Sequence, residues 1–191
     1  LYPGDIEMDG QLWVKILFSA RAHARVTAID TTEAENYPGV VRVFTAKDVP
    51  VNEYGLIMPD QPVLCGPGSS KSGTDIVRCF TDQVAFVVAE TEEIAAAAVK
   101  LIDVTYEDLP AVTGIFEALE DDAPQIHEHA EGNILNHYRI RHGDVAAGWE
   151  QADVIVEGEY HTGYQEHAYL QPEAGLGYID DDNRVTVAVA G

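Results

Sequence analysis

The chain has 191 residues, 46% hydrophobic and 23% charged, a composition that supports a buried core. Its formal net charge is -22, with 33 Asp and Glu against 11 Lys and Arg. Such a surface repels phosphate backbones and anionic lipid, which excludes nucleic acid and membranes as partners.

The apolar runs are strand-length or helix-length and are soon interrupted by charge, so none predicts a membrane span. Cys65 and Cys79 are too few for a disulfide framework, and without a C-x-x-C they signal neither a zinc knuckle nor a redox pair. They are expected as ordinary small residues with no required disulfide. The chain opens at Leu1 without a Met, as expected of a trimmed or processed product.

Leu12 to Phe18 (LWVKILF) predicts a first strand. Arg25 to Asp30 predicts a second, with Val26, Ala28 and Asp30 alternating against Thr27 and Ile29. Asp30 and Thr31 offer capping side chains, and Glu33 sits three residues after Asp30 as in a capping box. Pro38-Gly39 then stops the helix early. Val40 to Phe44 is a third strand. Residues 51 to 75, rich in Gly, Pro and Ser, read as a loop long enough to be functional or disordered. Its GPGSSKSG stretch lacks phosphate-loop spacing and follows no strand.

Ile76 to Phe80 and Val84 to Glu90 are strand-like. Thr91 caps an Ala-rich helix with Glu92 and Glu93 in its first turn. Ile94, Ala98, Leu101 and Ile102 share one face of it. Val104 to Glu107 forms another strand, and strand, helix, strand implies a helix packed on a sheet. From Glu90 to Glu131 there are twelve Asp or Glu and one Lys, Lys100, a pattern read as a solvated face. Residues 111 to 133 read as an acidic connector. Asp144 caps a short helix through about Gln151, and Val154, Val156 and Tyr160 alternate on one face of a strand. Gly175 to Ile179 and Val185 to Val189 predict a hairpin around Asp180 to Asn183. The chain has few elements to cover these late apolar faces.

No G-x-S-x-G, H-E-x-x-H or G-x-G-x-x-G occurs. Three polar groupings remain. His127-Glu128-His129 places two imidazoles at i and i+2, on one side of an extended segment, but a metal site needs a third ligand and none is evident. Hence no metal site is assigned. Arg21, His23 and Arg25 alternate in SARAHAR, either as a solvated strand end or as a surface for an acidic partner. Gln165 to Glu173 (QEHAYLQPE) is a dense polar run between apolar strands, either a self-satisfied corner or a set of donors for a polar cofactor.

Three collinear segments carry a resemblance: SARAHARVTAIDTTEAENYPGVVRVFTAKDVP, VAFVVAETEEIAAAAVKLIDVTYEDLPAV and GDVAAGWEQADVIVEGEYHTGYQEHAYLQPEAG. Together they resemble the start of the large subunit of the xanthine dehydrogenase, or molybdenum hydroxylase, family. The family's pattern QEHxYLEPE is matched with Gln171 where Glu is usual. At Cys79 to Gln83 the family's Gly is missing, so the turn there is expected to differ.

The resemblance implies an α+β fold. Residues 1-115 are similar to an α/β hammerhead domain, 116-133 form the acidic connector, and 134-191 are similar to the opening, truncated part of a molybdopterin-binding domain. It implies a parent oxidoreductase that hydroxylates xanthine, other heterocycles or aldehydes with oxygen from water. The parent carries molybdenum on molybdopterin, and its partners are the rest of that subunit and iron–sulfur and FAD modules. No catalytic residue is assigned, because the general-base Glu of the family is expected downstream of Gly191. Gln165, Glu166, His167 and Glu173 are candidates near the cofactor. The isolated chain is expected to bind no cofactor and to be inactive. The expected compartment is the cytoplasm, with the periplasm as the alternative. The rival reading is a stand-alone hammerhead binding or assembly module without catalysis.

Overall fold

A computed structural model of the protein describes residues 2–168 and 173–189. The chain divides into two compact units, Gly10–His137 and a second made of Leu1–Asp9 with Tyr138–Gly191. The fold is α+β.

In the first unit the β-branched and aromatic runs become strands β1 (Trp13–Phe18), β2 (Ala24–Asp30), β3 (Val40–Thr45), β4 (Ile76–Val77), β5 (Gln83–Ala89) and β6 (Asp103–Asp108). They form two antiparallel three-stranded sheets, ordered β1-β5-β3 and β4-β2-β6. In the first sheet β5 is central, and Ala85 and Val87 on its inner face are fully buried. Helices α1 (Thr32–Glu35) and α2 (Glu92–Ala98) supply Ala34 and Ala98 to the same core, which Val43 and Ile102 complete. A second core joins Ala24, Val26 and Val77 to Val84 and Cys65.

The α2 cap is as expected, since Thr91 Oγ1 accepts the Ile94 N–H at 3.3 Å. The start of α1 differs. The N-cap position falls on Thr31 rather than Asp30, while Asp30 Oδ1 accepts the Thr32 N–H at 2.9 Å and Thr31 Oγ1 donates to Glu35 at 2.7 Å. This replaces the expected box between Asp30 and Glu33. Gly39 ends the turn with φ +85°, a backbone conformation that favours glycine, and a Cβ there would also push Ile94 Cδ1 aside.

Strand β2 departs from simple alternation. Val26 pairs with Tyr106 and Ala28 with Thr105, which leaves Thr27 as an extra residue. This bulge switches the face, so Val26 is buried, Ala28 is exposed and Ile29 turns inward. Strand β4 is shorter than Ile76 to Phe80. Asp82 Oδ2 accepts the N–H groups of Arg78 at 2.6 Å and Cys79 at 3.0 Å, which makes a turn there with a side chain in place of a glycine. Ser19 holds the turn from outside, its Oγ donating to the Cys79 carbonyl at 3.0 Å.

The 51–75 loop is pinned. Buried Asn52 donates to the Leu64 carbonyl at 2.8 Å and accepts the Leu64 N–H at 3.0 Å, which satisfies both backbone groups of a fully buried residue. Residues 111–133 hold a short helix α3 (Ile115–Ala118), and Asn133 gathers the segment by bonding Ile126, Pro124 and Ala118. Ala130 is buried.

The second unit contains helix α4 (Val145–Glu150) and the hairpin β7 (Gly175–Ile179) with β8 (Val185–Val189). Asp144 caps α4, accepting the Ala147 N–H at 3.0 Å. Asp180 organises the hairpin turn, where the backbone N–H of Arg184 at 2.9 Å, helped by the Arg184 and Thr186 side chains, holds its carboxyl below the ordinary value. The expected strand at Val154 to Tyr160 does not form; the residues carry no strand pairing, and Val154, Val156 and Tyr160 are 78%, 87% and 90% exposed. An alternating pattern becomes a strand only when a neighbour offers backbone partners, and among the described residues no strand pairs with it.

Candidate functional site

The alternating basic residues of SARAHAR are spent on the chain itself. Arg21 lies 3.5 Å from Asp108 and over the ring of Tyr106 at 5.1 Å. His23 Nδ1 bonds the Pro110 carbonyl at 2.6 Å, and Arg25 pairs with Asp75. The groups they meet are intramolecular: Arg21 and His23, just before β2, reach the end of β6 and Pro110 beyond it, and Arg25 in β2 reaches the loop before β4.

The two cysteines are separate free thiols, Cys65 buried and Cys79 exposed. Burial, aided by Asp82, pushes the Cys65 thiol up to about 12, and its S–H donates to the Ile76 carbonyl at 3.6 Å.

Within the first unit a cleft of about 360 Å³ opens between the 51–75 loop and the residues around His127. Asp60, His127 and His129 present ligand atoms all within 4.8 Å of one another. The imidazole centroids are 5.3 Å apart, with the rings tilted by 57°. Burial lowers the His127 pKa, with Arg78 and His129 adding to the effect and Asp60 opposing it. The pair His127 and His129 is legible in the sequence. Asp60 is not, because only the folding of the loop brings it across.

Gln165, Glu166, His167 and Glu173 belong to the second unit, and all are exposed. Glu166 Oε1 accepts the backbone N–H of His167 at 2.9 Å and of Ala168 at 3.4 Å, a local turn interaction. Tyr169 to Pro172, in the middle of the QEHAYLQPE run, lie outside the described residues.

Residues 1–110 match the family description "Aldehyde oxidase and xanthine dehydrogenase, a/b hammerhead domain". The chain belongs to this family. Residues 126–190 of this hammerhead chain also match "Molybdopterin cofactor-binding domain". It is 40% identical over 187 residues to a probable xanthine dehydrogenase subunit of Bacillus subtilis, covering 97% of this chain and 24% of that protein. It is 31% identical over 190 residues to the nicotinate dehydrogenase large molybdopterin subunit of Eubacterium barkeri, covering 99% of this chain and 42% of that one. Its fold is similar to the aldehyde oxidoreductase of Desulfovibrio gigas, with TM-score 0.81, 30% identity, and 98% and 21% of the two chains covered. The hammerhead chain thus spans less than half the length of each of these relatives.

The two kinds of boundary do not coincide. The cofactor-domain match begins at residue 126, yet residues 126–137 fold with the hammerhead unit, and residues 2–9 fold with the late one. His127 and His129 therefore stand inside the sequence of one domain and the structure of the other. The exposed Gln165, Glu166, His167 and Glu173 do not by themselves enclose a group the size of a pterin. Among the described residues their side chains line no enclosed site, and the Glu166 carboxylate is held only by its own turn. Among the described residues, no helix is long and apolar enough to cross a membrane.

Proposed function

We propose that this chain is the hammerhead and opening cofactor-domain portion of the large subunit of a molybdenum-dependent hydroxylase. The parent would oxidise xanthine, another heterocycle or an aldehyde, taking oxygen from water, with molybdenum on molybdopterin supplying the redox chemistry. Its partners would be the rest of that subunit and iron–sulfur and FAD modules. The 191 residues alone would bind no molybdenum and hydroxylate nothing.

The observation that carries this reading is the state of the second unit. None of its described residues is buried, although Val154, Ile155, Val156 and Tyr160 lie close together in sequence. So many exposed apolar residues in one short stretch suit a surface that other parts of a protein cover. In this reading Gln165, Glu166, His167 and Glu173 approach the cofactor only once that cover is in place. No catalytic residue is assigned within the chain.

The rival reading, a stand-alone hammerhead binding or assembly module, draws on the closed cores of the first unit. Isolating the native protein with an antibody against this chain separates the two. A larger polypeptide with stoichiometric molybdenum, inserting oxygen from labelled water into xanthine, nicotinate or an aldehyde, is the expected result. A molybdenum-free product of this chain's own size would favour the module. Stoichiometric molybdenum on the purified 191-residue chain would overturn its predicted inactivity.

A further inference from the structure

We propose that Asp60, His127 and His129 form a binding site for a divalent transition-metal ion of the zinc class, which ties the 51–75 loop to the segment around His127. Two imidazole nitrogens and one carboxylate oxygen are donors that zinc accepts, and a set this poor in oxygen does not suit calcium or magnesium. The proposal stands apart from the molybdenum reading and needs no other part of a larger protein, because all three residues lie in the first unit.

The backbone on both sides of the cleft is fixed without an ion. Next to Asp60, Tyr54 and Gln61 exchange two backbone hydrogen bonds, at 2.7 and 3.0 Å, and the Asp60 N–H donates to the Met58 carbonyl at 2.9 Å. On the other side, Gln125 Nε2 donates to the carbonyls of His127 and Glu128, both at 3.0 Å. Arg78 Nε holds the Ile126 carbonyl at 2.8 Å. Ligands carried on segments already ordered lose little freedom on binding.

The cations of the cleft do not take the carboxylate. Lys71 pairs with Glu53 and donates to the Pro59 carbonyl at 3.0 Å. Arg78 spends its guanidinium on the carbonyls of Ile126 and Ile76. Donor atoms around a tetrahedral zinc ion stand roughly 3.3 Å apart. Side-chain rotation brings a set within 4.8 Å to that spacing, and His129 is exposed and can make it. Three protein ligands leave a fourth position for water.

Titration of the untagged 191-residue chain with zinc, after chelator treatment, tests the site by calorimetry. Cobalt, which gives a visible spectrum on binding, is the second probe. One saturable site per chain is expected, with zinc raising the melting temperature. Asp60→Asn, His127→Ala and His129→Gln should each weaken binding at least about tenfold, while His142→Ala, in the second unit, should not. His129 is exposed, so His129→Gln keeps the test valid if another variant fails to fold. Absence of saturable binding at about 100 µM zinc overturns the proposal, since protein zinc sites bind far below that. Binding that survives Asp60→Asn or His129→Gln overturns it too, because a pair of histidines or an adventitious surface site would then suffice.

Discussion

Val84 to Ala89 and Val154 to Tyr160 both read as strands in the sequence and reach opposite ends. The first is the central strand of a sheet, with Val84, Ala85, Val87 and Ala89 fully buried. The second pairs with no strand, and its apolar side chains are exposed. The same contrast holds for the units that contain them. The buried apolar residues all fall between Ala24 and Ala130, inside the first unit, and none of the described residues of the second is buried. A sequence pattern specifies which face of an element is apolar; it does not supply the surface that receives that face. The hammerhead unit contains both halves of its contacts, and the described residues of the late unit bury none of their apolar side chains.

Substitutions should divide along that line. Leu64→Ala, at a fully buried position, should cost about 2–5 kcal/mol in chemical denaturation of the chain. Asn52→Ala should fall near it, since it leaves two buried backbone groups of Leu64 without partners. If either is neutral, the 51–75 loop is not packed into the interior of the first unit.

The two thiols extend the contrast to pH. In the native chain an alkylating reagent should modify exposed Cys79, and Cys65 only on unfolding. The folded Cys65 value is raised from 9.0 to about 12. Below pH 9 the thiol is protonated in both states and its contribution is constant. Above that the unfolded thiol ionises first, so stability falls as pH rises towards 12, by about 1.4 kcal/mol at pH 10. Melting curves of Cys65→Ala should lose that share of the alkaline slope; an unchanged slope contradicts the burial.

Smaller effects follow. Thr91→Ala should cost about 1 kcal/mol through its helix cap. Val156→Ala should shift stability by less than about 0.5 kcal/mol, and a larger loss would mean that this stretch is buried after all.

Much of the first unit is legible in the sequence because its signals are local. The Thr91 cap, the Ala98 and Ile102 face and, in the late unit, the Gly175–Val189 hairpin all rest on neighbours within a few positions. What escapes is set at long range or by one residue. The bulge at Thr27 inverts the expected faces of Ala28 and Ile29, and nothing in the spacing announces it. Asp82 builds a turn from its side chain where a glycine would have been read as a turn. Asp60 reaches the two histidines across a loop that composition alone describes only as irregular. The polar run at Gln165 to Glu173 is recognisable by type, and its described residues, Gln165 to Ala168 and Glu173, are exposed, so no packing partner within reach of the sequence pattern fixes their role.

Hydrogen exchange read by mass spectrometry on the monomeric 191-residue chain tests the division most directly. Amides of Val84 to Ala89, in the central strand, should be protected close to the limit of global unfolding. Those of Val154 to Tyr164 should exchange near the rate of an unfolded peptide. Equal protection of both stretches in the monomer would contradict the account, because the late unit would then have found within this chain the cover assigned to a larger protein.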